Sequence, residues 1–144
     1  MRYLICCLLF SLFAGKLSAQ QVPDKPNVII IYIDDMGWGD VSYNNPQVDY
    51  TPNMSRIAKQ GIRLTDFYVS EAVCTASRTS LMTGCYANRV GMGGAIDHKS
   101  KAGINPEETT LAEMLKANGY ATAAFGKWHL GFQPPFLPTH QGFD

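Results

Sequence analysis

Long apolar runs and helical patterns alternate along most of this chain. The continuous run at residues 28–33 is rich in β-branched side chains and ends at Asp34 and Asp35. A continuous run of this length is typical of a strand that is buried on both faces of a parallel sheet. Residues 62–69 alternate loosely between apolar and polar positions, and residues 120–125 are a further, mostly apolar segment. We therefore predict three strands at these positions.

Helical patterns separate the predicted strands. Thr51 followed by Pro52 is the pattern of an N-cap with proline at the first helical position. Residues 77–83 predict a second, short helix. Residues 110–113 form a capping box that begins a third helix, which we expect to end at Gly119. Strands that alternate with helices favour an α/β fold with a mostly parallel sheet and flanking helices.

The two ends of the chain differ from its middle. Arg2, an apolar run at residues 3–14 and the small residue Ala19 have the pattern of a secretory signal peptide that is cleaved after Ala19. The apolar run is too short for a stable membrane span. Residues 133–144 are rich in Pro and Gly and predict no further element. We therefore expect residues 20–144 to form the N-terminal part of a longer exported domain, because their predicted core is thin.

Composition narrows the classes of function. The chain has 144 residues, with 12 Lys and Arg against 12 Asp and Glu, so its formal net charge is zero. No basic field is therefore present to attract nucleic acid. A hydrophobic content of 46% and a charged content of 17% suit a packed domain rather than a disordered segment. After signal cleavage, the cysteines that remain are Cys74 and Cys85.

Polar side chains follow the ends of predicted strands, where sites form in open α/β sheets. Asp34 and Asp35 come directly after the first strand. Adjacent carboxylates repel each other, and a divalent cation offsets that repulsion through the oxygen ligands that hard cations prefer. The alternative is a pair of solvated loop acids. Asp40, a little further along, is expected to cap or turn the chain rather than bind metal.

Cys74 lies next to the start of a predicted helix. A helix N-terminus stabilises anions and lowers the pKa of a thiol, and Arg78 follows one turn later. This segment is therefore suited to binding a tetrahedral oxyanion. A cysteine-phosphatase loop is a competing interpretation, although Ser80 lies nearer than Arg78 to the place where that loop has its arginine. The pattern is also compatible with a disulfide between Cys74 and Cys85 or with an inert buried cysteine.

Lys127 and His129 follow the third predicted strand and are separated by one residue. In an extended segment, both side chains would point to the same side. A cation beside a titratable imidazole suits anion binding and proton transfer.

Two long motifs make the chain similar to a known family. Residues 74–84, CTASRTSLMTG, resemble the first signature of type I, formylglycine-dependent sulfatases. Residues 119–129, GYATAAFGKWH, resemble the second signature, with Phe125 as a minor departure. Asp34 and Asp35 match the start of the family's metal site. Residues 51–53 and 140–144 are similar to further family blocks, and the wider pattern is most like the arylsulfatase A type.

The resemblance implies an alkaline-phosphatase-like fold and sulfate-ester hydrolysis. Cys74 would be the precursor of formylglycine, whose hydrate attacks sulfur, expels the alcohol and then eliminates sulfate. Asp34, Asp35 and modified Cys74 would hold Ca²⁺, with Mg²⁺ as the alternative. Arg78 would orient the formylglycine, Lys127 would bind the sulfate, and His129 would hydrogen-bond the formylglycine hydroxyl. The expected partners are a formylglycine maturase and a small sulfate ester or sulfated glycan.

Departures from the family pattern leave two further functions open. Ala76 replaces the usual proline, which resembles sulfatases matured by bacterial radical-type enzymes. Together with the signal peptide, it indicates a periplasmic or secreted protein, with the lysosome as the eukaryotic equivalent. The family's second metal pair, a further His and a second Lys are expected beyond residue 144. The alternatives to a sulfatase are therefore an inactive truncated fragment and a related phosphate or phosphonate ester hydrolase of the same superfamily.

Overall fold

The computed structural model describes residues 25–144, and the predicted signal peptide at residues 1–19 lies outside them. The chain divides into two compact units, one that ends at Ile33 and one from Asp34 to Asp144. The second unit contains three α-helices, α1 (Pro52–Gln60), α2 (Cys74–Thr83) and α3 (Leu111–Ala117), and three short 3₁₀ helices, Trp38–Asp40, Ala87–Val90 and Pro138–His140. No helix within residues 25–144 has the length and apolar character that crossing a bilayer needs.

The three predicted strands are not confirmed. Residues 25–144 contain no assigned β-strand, and the segments at 28–33, 62–69 and 120–125 are irregular or turn-like. Their large side chains are also exposed, with Ile29 at 82% and Phe125 at 95%. The physical reason is that a strand exists only when a neighbouring strand takes up its backbone N–H and C=O groups. The apolar pattern identified segments suited to a sheet but did not supply their partners.

Local signals set both ends of α1 and the start of α3 as expected. Pro52 begins α1 and Gly61 ends it. In α3, the Thr110 side chain accepts a hydrogen bond from the Glu113 amide at 3.2 Å, and the Glu113 carboxylate accepts one from the Thr110 amide at 2.7 Å. This reciprocal pair satisfies N–H groups at the helix start that have no partner within the helix.

Helix α2 begins three residues before its predicted start. Cys74 is its first residue and Val73 is its N-cap, which provides no side-chain hydrogen bond. Valine is a poor N-cap residue, so no local signal marked this boundary. The helix ends as predicted at Gly84, which has a left-handed φ of 68°. Helices α2 and α3 pack against each other within the second unit.

The last residues of the chain are more ordered than their composition indicated. The 3₁₀ helix Pro138–His140 lies within a segment for which we predicted no element. The side chain of Gln141 is fully buried, and its backbone carbonyl accepts a hydrogen bond from the Thr110 hydroxyl at 2.9 Å. The Thr122 hydroxyl donates to the Gly142 carbonyl at 2.6 Å. Proline and glycine here shape a packed turn rather than a solvated tail.

A small core joins these elements. Ile104 and Leu130 are fully buried, and the Ile104 amide donates to the Leu130 carbonyl at 2.7 Å. Trp128 donates from its indole nitrogen to the Phe136 carbonyl at 2.8 Å and meets Phe143 edge to face at 5.9 Å. These contacts fix the position of Trp128. Its two neighbours in the sequence, Lys127 and His129, are predicted site residues.

Candidate active site

Three charged side chains from distant parts of the sequence meet around Asp34. The Lys127 ammonium lies 2.9 Å from Oδ2 of Asp34, and the Arg78 guanidinium donates to Oδ1 at 3.2 Å. The structure therefore brings together one residue from each of the three polar clusters found in the sequence. The Asp34 and Lys127 side chains are each 44% exposed, so solvent and an incoming ligand reach both groups.

The contact between Asp34 and Lys127 shifts the pKa of each group in the direction expected for an ion pair. The pKa of Asp34 is lowered first by the hydrogen bond from Lys127 and next by that from Arg78. The pKa of Lys127 is raised mainly by its hydrogen bond to Asp34, against an opposing effect of burial. The cluster therefore keeps its charges over a wide pH range. Cys74 is a further, smaller cause that raises the pKa of Lys127.

Arg78 connects the cluster to helix α2. It lies one helical turn after Cys74, and residues four apart share a helix face. Its side chain is only 11% exposed, and its second terminal nitrogen donates to the backbone carbonyl of Lys127. Arg78 therefore holds the main chain at Lys127 as well as the Asp34 carboxylate.

Cys74 occupies the first position of the ten-residue helix α2 and is half-buried. Cys74 and Cys85 are both free thiols, so the structure does not contain the disulfide considered for them. The positive end of the helix dipole at this position favours a bound anion, and Lys127 is a cation of the same site. The site therefore suits the binding of an oxyanion.

His129 departs from the extended conformation that the sequence predicted. Its φ is 60°, in the left-handed region that residues with a side chain rarely occupy. Its ring nitrogen Nε2 lies 2.7 Å from the backbone carbonyl of Ile96, and its other nitrogen, Nδ1, is buried with no hydrogen-bond partner among the described residues. Lys127 and His129 therefore do not form a simple same-side pair.

Asp35 is placed next to the cluster but makes no ion pair that the structure shows within residues 25–144. It is exposed, and its φ of 56° is again left-handed. No group of three or more His, Cys, Asp or Glu side chains in this part of the chain is arranged to hold a metal. The carboxylates of Asp34 and Asp35 fit the donor chemistry of Ca²⁺ or Mg²⁺, but they supply only part of a coordination shell.

One buried residue near the site, Thr75, was not predicted, whereas the capping role of Asp40 was. Thr75, beside Cys74, is fully buried and hydrogen-bonds to the His129 carbonyl and the Ile96 amide. The place of Thr75 within the first motif was a sequence signal that could have pointed to it. Its hydrogen-bond partners lie far away in the sequence, so the pattern did not identify them. Asp40 accepts a hydrogen bond from the Gly37 amide at 2.7 Å, which confirms its predicted capping role.

One cavity of about 530 Å³ lies around the start of α1, and none of the six predicted site residues lines it. Its lining side chains include Tyr43, Asp49, Arg56 and Lys59. The charged cluster is therefore identified by its ion pairs and not by this cavity.

Comparison with known proteins gives one family. Residues 26–144 match the family model described as Sulfatase. Human arylsulfatase A is 46% identical over 140 residues, which cover 94% of this chain and 27% of the relative. Arylsulfatase G of Rattus norvegicus is 39% identical over 141 residues, covering 95% and 26%. The chain therefore spans about a quarter of the length of these curated relatives.

Solved structures agree with the sequence comparison. The crystal structure of Ps i-CgsB matches with a TM-score of 0.80 and 38% identity, over 84% of this chain and 27% of that one. The structure of Ps i-CgsB in complex with k-i-k-neocarrahexaose matches with a TM-score of 0.73 and 36% identity, over 77% and 25%. The family model covers residues 26–144, and this span contains both motifs, at residues 74–84 and 119–129. This chain therefore belongs to the sulfatase family.

Proposed function

We propose that this chain carries the nucleophile and sulfate-binding side of an arylsulfatase-like sulfuric ester hydrolase. The observation that carries the proposal is the joining of Asp34, Arg78 and Lys127 beside Cys74 at the start of α2. Arg78 and Lys127 provide two positive charges against one carboxylate, and preorganised cations of this kind stabilise a transferring anionic group. The family of the chain supports the same class of substrate.

Each site residue has a role that follows from its placement. Arg78 holds Asp34 and the Lys127 backbone, so it positions the cluster relative to Cys74. Lys127, half-exposed and kept protonated by Asp34, binds the sulfate. His129 accepts a hydrogen bond from the hydroxyl of the modified Cys74. Formylglycine at position 74 supplies, as its hydrate, a hydroxyl nucleophile for the sulfate ester.

Formation of formylglycine requires a partner enzyme. The Cβ–S bond of Cys74 breaks, a C=O bond forms with oxygen from an oxidant or water, sulfur leaves as sulfide, and two electrons and two protons are removed. A maturase with its own oxidant must carry out this two-electron oxidation. Ala76, where the family usually has proline, favours a maturase of the bacterial radical type.

A divalent cation completes the proposed site. Asp34, Asp35 and modified Cys74 would hold Ca²⁺, with Mg²⁺ as the alternative, and the bound cation would polarise the sulfate oxygens. Raised thermal stability of the chain with added Ca²⁺, lost in Asp35→Asn, would support this assignment. Equal melting temperatures with and without Ca²⁺ would contradict it. Asp49→Asn is the control, because Asp49 is an exposed carboxylate outside the cluster.

We also infer that the segments at 28–33, 62–69 and 120–125 become strands of an alkaline-phosphatase-like sheet in a longer sulfatase domain, of which residues 20–144 form the N-terminal portion. The unbroken apolar run at 28–33, the mostly apolar segments at 62–69 and 120–125, and the exposure of Ile29 and Phe125 support this inference. Residues 1–19 would direct export to the periplasm or the medium, or to the lysosome in a eukaryote.

Sulfated glycans and small sulfate esters are the proposed substrates. The k-i-k-neocarrahexaose in the complex of one structural neighbour supports the glycan class. Phosphate and phosphonate esters are also tetrahedral anions, so Arg78 and Lys127 do not exclude them. Hydrolysis rates measured side by side on sulfate and phosphate esters distinguish these two functions, and the absence of both activities favours an inactive fragment.

The first test is the mass of the tryptic peptide at residues 64–78, isolated from the producing cell. Conversion of Cys74 would replace its CH₂SH side chain by CHO. The mass of the peptide would therefore fall by the difference between these two groups. The peptide at residues 79–89 carries Cys85 and is an internal control that should keep its thiol. An unmodified Cys74 in cells with an active maturase would overturn the proposal.

A further inference from the structure

One buried hydroxyl connects the two loops that hold His129. Thr75 is fully buried at the second position of α2. Its Oγ1 donates to the His129 carbonyl at 3.1 Å and accepts from the Ile96 amide at 3.3 Å. The hydroxyl therefore uses both its donor and its acceptor capacity between segments that are 33 residues apart.

The same two segments also meet through the imidazole. Nε2 of His129 lies 2.7 Å from the Ile96 carbonyl. A carbonyl oxygen only accepts hydrogen bonds, so Nε2 must carry a proton. In the neutral ring, Nδ1 then has the lone pair, and this atom is buried with no partner in the described part of the chain. Nε2 therefore donates to the Ile96 carbonyl, and Nδ1 is able to accept a hydrogen bond.

The backbone at His129 needs such support. A left-handed φ of 60° is unfavourable for a residue with a Cβ, and it persists where the surroundings fix it. The bond from Thr75 to the His129 carbonyl fixes it directly. Because Thr75 is adjacent to Cys74, the same bond ties the position of His129 to the start of α2.

We propose that Thr75 is a positioning residue for His129: its hydroxyl sets the Ile96 main chain against the imidazole and thereby selects the Nε2–H tautomer, with Nδ1 as the acceptor. The relevance of this arrangement to catalysis rests on the proposed function, in which His129 accepts from the hydroxyl at position 74. The tautomer itself is a property of the chain and is measured without any activity.

The experiment is long-range ¹H–¹⁵N NMR of the chain with ¹⁵N-labelled histidine rings, at a pH where His129 is neutral. In the wild type we expect a protonated Nε2, an unprotonated Nδ1 and a slowly exchanging Nε2–H signal. Thr75→Val should lose that signal and move the ring shifts toward those of exposed His98. Thr75→Ser should retain the wild-type pattern because it restores the hydroxyl.

Thr79→Val is the matched control. Thr79 is equally buried on the same helix, but its hydroxyl donates to the Thr75 carbonyl, and no hydrogen bond to Ile96 or His129 is described for it. Its spectrum should match the wild type. A proton on Nδ1 in the wild type would overturn the proposal even if Thr75→Val does not fold, and so would an unchanged Nε2–H signal in folded Thr75→Val. An unmodified Cys74 would overturn the proposed function and leave the tautomer result unaffected.

Discussion

Lys127 and Asp34 are 93 residues apart in sequence, and their charged groups lie 2.9 Å from each other. The second oxygen of the same carboxylate is taken by Arg78. Asp34 thus separates two cations that would otherwise repel, and the three side chains together keep one excess positive charge. A surface arranged in this way binds an anion without first having to bring its cations together.

Asp34→Asn should lower the pKa of Lys127 toward its ordinary value of 10.5, because the hydrogen bond that the ammonium donates to the carboxylate is the main cause that raises it. A larger fraction of Lys127 is then neutral at any given pH. Acetylation of Lys127, followed by mass spectrometry at a fixed alkaline pH, should therefore be faster in Asp34→Asn. Asp35→Asn serves as the neighbouring control with a smaller effect. Equal acetylation rates in the wild type and Asp34→Asn would show that the ion pair is not formed in solution.

Thr110→Ala should destabilise the chain by about 2 kcal/mol, since it removes an N-cap and leaves the buried Gln141 carbonyl without its donor. Urea unfolding at neutral pH measures the difference. Thr109→Ala changes an exposed hydroxyl next to it and should lie within about 0.5 kcal/mol of the wild type. Equal losses in the two variants would argue against a specific role of the Thr110 cap.

Gly142→Ala should be more damaging than Gly84→Ala, although both residues have positive φ. A Cβ at Gly142 would lie 2.4 Å from the Glu113 amide nitrogen, whereas a Cβ at Gly84 would meet no atom within 4 Å. We expect about 1 kcal/mol of destabilisation for Gly84→Ala from backbone strain alone and at least twice that for Gly142→Ala. Urea unfolding of the two variants side by side gives the comparison, and a larger loss in Gly84→Ala would contradict this packing.

The pH dependence of stability should include a contribution from Asp144. Its pKa is lowered below the ordinary value of 3.8, first by the Lys116 ammonium and next by the Thr122 amide. A lowered pKa means that the stabilisation is present above pH 3.8 and is lost as the pH falls through the lower folded value. Asp144→Asn should therefore be less stable at neutral pH and approach the wild type in acid.

Thermal unfolding between neutral and acidic pH measures this convergence of the wild type and Asp144→Asn. Asp49→Asn is the control, because Asp49 is exposed and makes no hydrogen bond or ion pair within residues 25–144 that the structure shows. A constant difference between Asp144→Asn and the wild type across the pH range would show that the carboxylate charge of Asp144 is not responsible.

The sequence predicted those parts of the fold that neighbouring residues decide. Pro52 and the capping box at Thr110 act within one turn, so α1 and α3 begin where they were expected. The start of α2 has no cap signal, and its position depends on tertiary contacts. Strand partners and the left-handed backbone of His129 are also set by distant residues, and a local pattern carries no information about either.

In the candidate site, too, the residue types were predicted from the sequence, whereas the long-range contacts were not. Residue types and their places after predicted strands identified Asp34 as a metal-ligand candidate and Arg78 and Lys127 as anion-binding candidates, and the structure joins these three charged side chains. The contact of Thr75 with the loops at residues 96 and 129 depends on long-range packing. No periodicity in the sequence reports such a contact.

The exposure of residues 28–33 has a consequence for handling the protein. This segment combines β-branched residues with no charge and no proline, which is the composition of self-associating β-segments. Ile29 and Ile31 are 82% and 75% exposed and lie in no assigned strand, so this segment is a candidate for pairing with another copy. Self-association should therefore increase steeply with protein concentration. The acids at 34 and 35 then act as gatekeepers, because like charges stacked in register oppose fibril growth.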